Sequence, residues 1–541
     1  PKLRMSVEPL VAMSMMWMGN YSRALDIINS MRILAESNDL PPAALANLRN
    51  VESMYYMLVG DHDACWQAVE RGLDISRTHG VRIWGDQLLA HGIAVHLEIG
   101  ELETAARLLA ELEFDLAHSR RLDRCLYHSL SAWSCMLRGD AQSAYQHQRT
   151  ALKVALEVGS PFYEVVSRLG WAQVLAACGD KRKSEAQVRR VTGILSNMNS
   201  RLLEFMMYLT SAQIDLESGR QTSGLQVLRT AMGLGREYGF THALWWQPKA
   251  MARLCAHALA AGIEVEYVKH LIRVRRLTPA EDSLTMIAWP WPFKLFTLGK
   301  FHLLKDDQLQ TFAGKAQNRP LELLKVLVAL GGKEVRAEQL AETLWPHVDG
   351  DYAHASFTST LHRLRRLLGV DAAVVLQDGR VTLSPSYFWA DTWTFEQALG
   401  QVDAELAESP TLNEDSRLTK SAEQLLELYQ GPFLEDESEQ ACYIAFREQA
   451  RSKFLRYMSK LIQRWEAAEQ WDHVVSYYER AIEVDNLCEG FYRQLMLFYQ
   501  KRGRSAEARE VYDRCRKTFS ALLKANPSPE ITAIYESIQS S

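Results

Sequence analysis

The sequence predicts a mainly α protein in three parts: a long α-solenoid, a small α+β domain, and a second all-α block. Three observations predict this. Glycines recur every 39 to 41 residues through the first half of the chain. Two Trp-Pro steps at 289–292 then stop helix formation, and short alternating segments follow. Behind these come long amphipathic runs that reach the C-terminus.

Length and composition set the frame. A chain of 541 residues holds three or four domains. Hydrophobic content of 47% with 23% charge belongs to globular proteins. The net charge of −5 excludes a chain basic throughout, so any nucleic-acid site must be local. Apolar runs fall far short of the ~18 residues that span a bilayer, and no membrane partner is expected. Eight scattered cysteines without a CxxC pair argue against zinc or a disulfide framework and for a reducing cytoplasm. The chain opens PKLRMSVEPL, without an initiator methionine, and is expected to be a piece of a longer one.

In residues 1–280 the glycines are Gly19, Gly60, Gly100, Gly139, Gly179 and Gly219. Five residues after each stands a small residue: Ala24, Cys65, Ala105, Ala144, Ser184 and Gly224. An apolar helical segment lies on either side, as in AVHLEIGE followed by ETAARLLAEL. The glycine turns one helix into the next, and the small residue lets the two pack closely. Gly80, Gly159 and Gly239 fit the turns between units. A period of this kind means a solenoid with a concave face that binds peptides, small molecules or other parts of the same chain. Trp84, Trp133 and Trp171 suit the core between repeats. Trp245 and Trp246 cannot both point the same way on a helix, so one of them is expected to face solvent or a ligand. The pair is the candidate effector face.

The Gly-plus-small spacing resembles tetratricopeptide repeats, with longer helices than the usual 34-residue unit implies. It looks like the long-helix repeat domain of maltose-regulator (MalT)-type activators, with HEAT-like packing as the structural alternative. Regulators of that type often carry an ATPase before the array, so a nucleotide-hydrolysing module is expected upstream of residue 1.

Residues 281–292, EDSLTMIAWPWP, form the linker. From 293 to 391 the chain begins with short strands joined by an Asp-Asp turn. A helix follows, with Pro320 placed in its first turn and Gly331–Gly332 at its end. Next come the helix AEQLAETLWP and the loop His347, Val348, Asp349, Gly350 and Asp351. The third helix spans Asp351–Gly369. Its apolar residues Phe357, Leu361, Leu364 and Leu368 fall within about 60° of one another. The opposite side carries Ser356, Ser359, His362, Arg363 and Arg366, and no acid occurs from Tyr352 to Val370. Arginine can bond guanine bidentately, and hydroxyls reach phosphates or base edges. Taken alone, this is equally an ordinary surface helix with a solvated face. A strand–turn–strand with Asp378-Gly379 at its turn follows, which makes a helix-turn-helix with a wing.

PLELLKVLVALGGKEVRAEQLAETLWP, LHRLRRLLG and DGRVTL, in that order, are similar to the OmpR/PhoB-type winged-helix domain. With its downstream block, the arrangement resembles Streptomyces antibiotic regulatory proteins (SARPs). The resemblance implies that His362 and Arg363 enter the major groove, with Ser356 and Ser359 near bases or backbone and Arg366 on the same DNA-facing side. It implies a phosphate for Arg365, the minor groove for Arg380 at the wing tip, and RNA polymerase for the loop His347–Asp351. Two features depart from the pattern. Arg336 stands where the family often has a Ser or Thr helix cap. The domain is also close to charge-neutral, so dimerisation or tandem binding would have to supply affinity.

Residues 392–541 contain long amphipathic runs, with the Gly503-to-Ala508 spacing again present. LYQGPFL, EGFYRQLM and NPSPE resemble the bacterial transcriptional activator domain. That implies a tetratricopeptide-like module which buttresses the DNA-binding part and supports dimerisation or polymerase contact. Tyr492 and Arg493 there suit packing. No Walker A, GxSxG, HExxH or GxGxxG motif occurs in suitable context, so no enzyme, cofactor or metal is expected. The expected function is that of a cytoplasmic, signal-responsive bacterial transcriptional activator. Its expected partners are double-stranded DNA, RNA polymerase and an effector or protein on the array, with a homodimer or higher oligomer when active. The alternative is a non-enzymatic scaffold whose winged helix binds protein.

Overall fold

Each glycine of the long period holds φ between 78° and 87°, a left-handed conformation that side chains with a Cβ resist. After three of the six, an aspartate follows and caps the next helix. Asp61, Asp140 and Asp180 accept hydrogen bonds from the backbone N–H of Ala64, Ser143 and Lys183 at 3.0–3.2 Å. A Gly-Asp step therefore ends one helix and starts its partner. The computed structural model describes residues 2–37, 40–81, 83–114, 119–280, 283–312, 315–408, 417–437 and 440–539. Chain contacts divide it into two units, Pro1–Ser283 and Leu284–Ser541. Residues 281–282 of the expected linker lie outside the described residues.

In the first unit six helix pairs follow the glycine period. They are α1 (Lys2–Met18) and α2 (Tyr21–Ser37), α3 (Pro42–Val59) and α4 (His62–His79), α5 (Gly85–Ile99) and α6 (Leu102–Phe114). Then come α7 (Arg121–Leu137) and α8 (Ala141–Val158), α9 (Pro161–Ala177) and α10 (Lys181–Leu195), α11 (Arg201–Glu217) and α12 (Gln221–Tyr238). The small residues Ala24, Cys65, Ala105, Ala144 and Ser184 are wholly buried where paired helices cross. Two of them also bond the partner helix: Cys65 Sγ to Ser53 O at 3.1 Å and Ser184 Oγ to Ala172 O at 2.7 Å. A seventh, shorter pair, α13 (Pro248–Ala260) and α14 (Val265–Val274), turns at Gly262. There Tyr267 stands at the small-residue position, with Gly235 making room for its ring.

Successive odd-numbered helices pack on one another and form the inner wall of the array. The first helix of the wall also meets the fifth and sixth of the pairs. Trp17 stacks on Phe162 with 4.4 Å between ring centroids, and Ser200 Oγ donates to Trp17 O at 2.6 Å.

The second unit starts with a sheet of strand order β3-β2-β1-β7, in which β1 (Phe293–Phe296), β2 (His302–Lys305) and β3 (Gln308–Leu309) are antiparallel. Asp306 and Asp307 make the turn, both with positive φ. Helix α15 spans Lys315–Ala329 and carries Pro320 inside it rather than in the first turn, because the helix begins five residues before the proline. Gly331 and Gly332 end it, their N–H groups bonded to Val328 O and Leu327 O. Then come β4 (Val335–Arg336), α16 (Ala337–Leu344), α17 (Gly350–Leu368), β5 (Val374–Gln377), β6 (Arg380–Leu383) and β7 (Phe388–Ala390). Two of these strands escape sequence analysis. β7 closes the first sheet by pairing parallel to β1, and β4 joins β6 as the third strand of the hairpin sheet. Helices α18 (Asp391–Glu408), α19 (Arg417–Leu428), α20 (Ala441–Ala467), α21 (Trp471–Val484), α22 (Glu489–Lys501), α23 (Ser505–Leu523) and α24 (Pro529–Gln539) complete the unit.

One apolar core runs without a break from Phe293 to Ile538. Its seam is the turn Thr297–Gly299. On one side the buried Asp391 carboxylate accepts from Thr297 N, Leu298 N, Thr392 N and the Thr297 hydroxyl, at 2.5–2.8 Å. On the other, Leu434 N donates to Thr297 O and Glu435 N to Gly299 O. Arg447 Nε donates to Phe433 O at 2.6 Å and holds the Gly431–Leu434 segment in place. Lys325 pairs with Glu437 across the same seam.

Burial pushes the Asp391 carboxyl up to about 6, against the pull of its four donors. An acid whose folded pKa lies above its unfolded value of 3.8 stabilises most below that value and loses this contribution as pH rises through 6. Chemical denaturation should show a decline in stability between about pH 4 and 7 that is absent in Asp391→Asn. Asp391→Ala, which leaves three buried N–H groups unpaired, should cost about 2–4 kcal/mol.

Candidate nucleic-acid interface

Helix α17 is set by its ends and its stripe. Asp349 caps it, accepting from Gly350 N at 2.8 Å, and Gly369 closes it at φ 77°. Phe357, Leu361, Leu364 and Leu368 are buried against α15 and α16, joined by Ala353 and Thr360. Because Asp349 is the cap, Gly350 and Asp351 belong to the first helical turn. Only His347, Val348 and Asp349 of the expected five-residue loop connect α16 to α17, and all five residues are exposed.

At 100° per residue, Ala355, Ser359, His362 and Arg366 point directly away from the buried stripe, with Tyr352, Ser356 and Arg363 on one flank. Ser359, His362, Arg363 and Arg366 are exposed and Ser356 is half-buried. Arg363 Nη2 donates to Thr360 Oγ1 at 3.1 Å, and Arg366 Nη2 lies 3.3 Å from His362 Nε2. Each contact engages one nitrogen of a guanidinium group that carries five donors. Tyr352, 72% exposed at the start of this face, stands beside the Ser, His and Arg residues that the sequence singles out and adds an aromatic ring to them.

Arg365 behaves differently. Its Nε donates to Val374 O at 2.9 Å, and the residue is half-buried between α17 and the first hairpin strand. The flank expected to suit a phosphate faces the wing, so Arg365 fastens the helix to the hairpin.

The hairpin β5–β6 turns through Asp378 and Gly379, both with positive φ, as a two-residue turn that matches strand twist requires. Arg380 is therefore the first strand residue, one step behind the tip. It pairs in register with Gln377 on one side and with Arg336 of β4 on the other. Arg336 and Arg380 are exposed like charges directly opposite each other, an arrangement that repels unless an anion lies against it. Arg336 makes no side-chain cap for α16, as its type predicts. The wing supplies the bond instead: Ala337 N donates to Gly379 O at 2.8 Å. Sequence inspection could not find the Arg336–Arg380 pair, since the register of a two-residue strand leaves no periodic trace.

Trp245 and Trp246, the expected effector face, lie in the first unit outside any helix, in the connection between α12 and α13. Both are buried, 4% and 3% exposed. The expectation that one faces outward presumed a helix. At φ 65° Trp245 breaks helical geometry, and both rings turn inward. Trp133, expected in the core, is buried there, while Trp84 and Trp171 are half-buried. Among the described residues no group of three or more His, Cys, Asp or Glu is placed to hold a metal ion. Among the same residues no helix is long and apolar enough to cross a membrane.

Residues 390–539 match the family model described as bacterial transcriptional activator domain. A search of curated proteins finds no match. Among solved structures, the chain is similar to Mycobacterium tuberculosis EmbR in complex with a low affinity phosphopeptide. That likeness has 20% identity and a TM-score of 0.33, over 46% of this chain and 65% of that one. It is also similar to a Rap protein complexed with Competence and Sporulation Factor, at 11% identity and TM-score 0.38, over 64% and 81%. The apo form of RapI gives 11% and 0.33, over 84% and 98%. The chain thus spans less than two thirds of the mycobacterial chain, and likenesses this slight say nothing of function.

The two helix arginines should separate in stability measurements. Arg365→Ala should lower the unfolding free energy of the second unit by about 1 kcal/mol through the lost bond to Val374. Arg366→Ala, on the outer face, should leave it within about 0.5 kcal/mol. Equal losses in denaturant titrations would contradict this assignment.

Proposed function

We propose that this chain is a signal-responsive bacterial transcriptional activator that binds specific double-stranded DNA through α17 and its wing. The observation that carries the reading is the outer face of α17. Ser359, His362, Arg363 and Arg366 stand clear of the core without an intervening acid, beside the exposed Arg336–Arg380 pair. A helix of this kind enters the major groove, where arginine reads guanine, while the hairpin lies along the backbone or the neighbouring minor groove. Ser356 suits a backbone or base-edge contact at the groove wall. The match of residues 390–539 to an activator domain supports the same reading.

The parts then take distinct roles. The helices behind the wing hold the reader rigid through the shared core and aid dimerisation. The exposed connection His347–Asp349, with Gly350 and Asp351 at the helix start, offers a surface to RNA polymerase. The array receives an effector or partner and shifts the population toward a DNA-competent oligomer. Near-neutral charge around the reader makes non-specific affinity modest, so two copies on adjacent half-sites raise it by avidity.

The test is binding to DNA selected from a random pool, measured at several salt concentrations. Arg363→Ala and Arg366→Ala should each lose about 1–3 kcal/mol of discrimination at one base position. Arg336→Ala and Arg380→Ala should weaken all sequences alike and flatten the salt dependence by about one phosphate each. Absence of salt-sensitive DNA binding by a dimeric wild type would transfer the reading to a protein-binding scaffold.

A further inference from the structure

The inner wall of the array is already occupied by the chain itself. Between α12 and α13 the segment Phe240–Gln247 crosses the pairs in turn. Phe240 packs on Tyr21 and Phe205, with ring centroids at 5.7 and 5.4 Å, and a Cβ on Gly19 would lie 2.7 Å from its ring. The Thr241 hydroxyl donates to Val59 O at 3.4 Å. His242 Nδ1 lies 2.9 Å from Glu98 Oε1. Trp245 Nε1 donates to Ser129 Oγ at 3.2 Å, and its ring fills the space beside Gly170, where a Cβ would lie 2.5 Å away. Trp133 Nε1 donates to Trp246 O at 2.9 Å, and Gln247 Nε2 to Gln173 Oε1 at 2.5 Å. Apart from Phe205 of the sixth pair, the contacts thus run in order from the first helix pair to the fifth. A non-helical stretch whose carbonyls and side chains are received one by one along a groove is how linear peptides are bound.

Three features distinguish this segment from settled core. His242 Nε2 of the segment and Arg275 Nη2 beside it have no hydrogen-bond partner, although both side chains are only 1–2% exposed, while Glu98 between them meets Arg275 Nη1 at 2.5 Å and His62 Nε2 at 3.4 Å. Native cores pair nearly all such atoms. Trp245 holds φ 65°, an unfavourable conformation for a bulky residue. A cavity of about 30 Å3, room for one water, lies against Trp245–Gln247 between Gln173, Thr210 and Gln213. Arg275 Nη2 is thus a buried donor of the channel that its present occupant does not use, and His242 Nε2 is a group of the occupant that the channel does not satisfy.

We propose that the channel is a binding site for an extended peptide, and that Phe240–Gln247 is a built-in occupant that such a peptide displaces. The ligand has the occupant's chemistry: an aromatic residue at the Gly19 end, an imidazole or other basic side chain opposite Glu98, and an aromatic pair three residues further on. This site rests on reading the array as the receiving part of an activator. Its failure would leave the DNA-binding measurements untouched.

The probe is a synthetic peptide of residues 238–248, with a scrambled version as control, added to the full chain. Weakening the occupant with His242→Ala and Trp245→Ala together should let the peptide bind. Affinity should exceed that of the scrambled peptide, and that of wild type for the same peptide, by at least about tenfold. Binding should also raise the variant's melting temperature. A variant of native helicity that binds neither peptide, or both alike, overturns the proposal. Hydrogen exchange on wild type decides the matter should the variant not fold. Amides of 240–247 should exchange at least about tenfold faster than those of α5 and α7, through local opening. Exchange only at the rate of global unfolding would mean a fixed core strand and end the proposal.

Discussion

A buried carboxylate without a cation holds the C-terminal half together. Asp391 gathers three backbone N–H groups and a hydroxyl at the point where the first sheet ends and α18 begins. The turn it fixes, Thr297–Gly299, exchanges backbone bonds with Pro432, Leu434 and Glu435 on its other side. The sheet, α17 and the helices that follow the wing are thereby registered to one another. The shared core from Phe293 to Ile538 can close only if that register is kept. Polar groups that must be paired inside a protein set geometry more sharply than apolar contacts, which tolerate sliding.

What could be read from the sequence was whatever repeats or alternates. The glycine period gave the helix pairs because a left-handed turn and a close crossing each demand one residue type at a fixed offset. The stripe Phe357, Leu361, Leu364 and Leu368 gave α17 for the same reason, and it placed Ser359, His362, Arg363 and Arg366 on the outer face. Where the rule was broken, the pattern fell silent. Tyr267 takes the small-residue place in the seventh pair because Gly235, far away in sequence, yields the space.

The features that could not be read depend on long-range pairing. Nothing local in RVTL or EVRA says that Arg336 and Arg380 lie side by side; β4 must first join the hairpin. Arg365 looks like its neighbours in sequence, yet the Val374 carbonyl claims it. The regularity around Trp245 and Trp246 suggests a helix. Contacts more than a hundred residues away in sequence, such as Trp133 with Trp246, hold them in a different shape. Tyr352 leaves no such trace either, since an uncharged aromatic next to a buried stripe reads equally as core or as surface.

The shared core also bears on how such a protein can be changed. A domain whose apolar residues share one core with Phe395, Tyr429 and Phe433 is not a cassette that can be cut after Asp391 and joined to another partner, because the cut would open the interior of both halves. Under the function proposed above, new specificity has to be written on the few outward positions of α17, where side chains can vary without disturbing the fold. Modularity in this half of the chain belongs to a surface rather than to a segment.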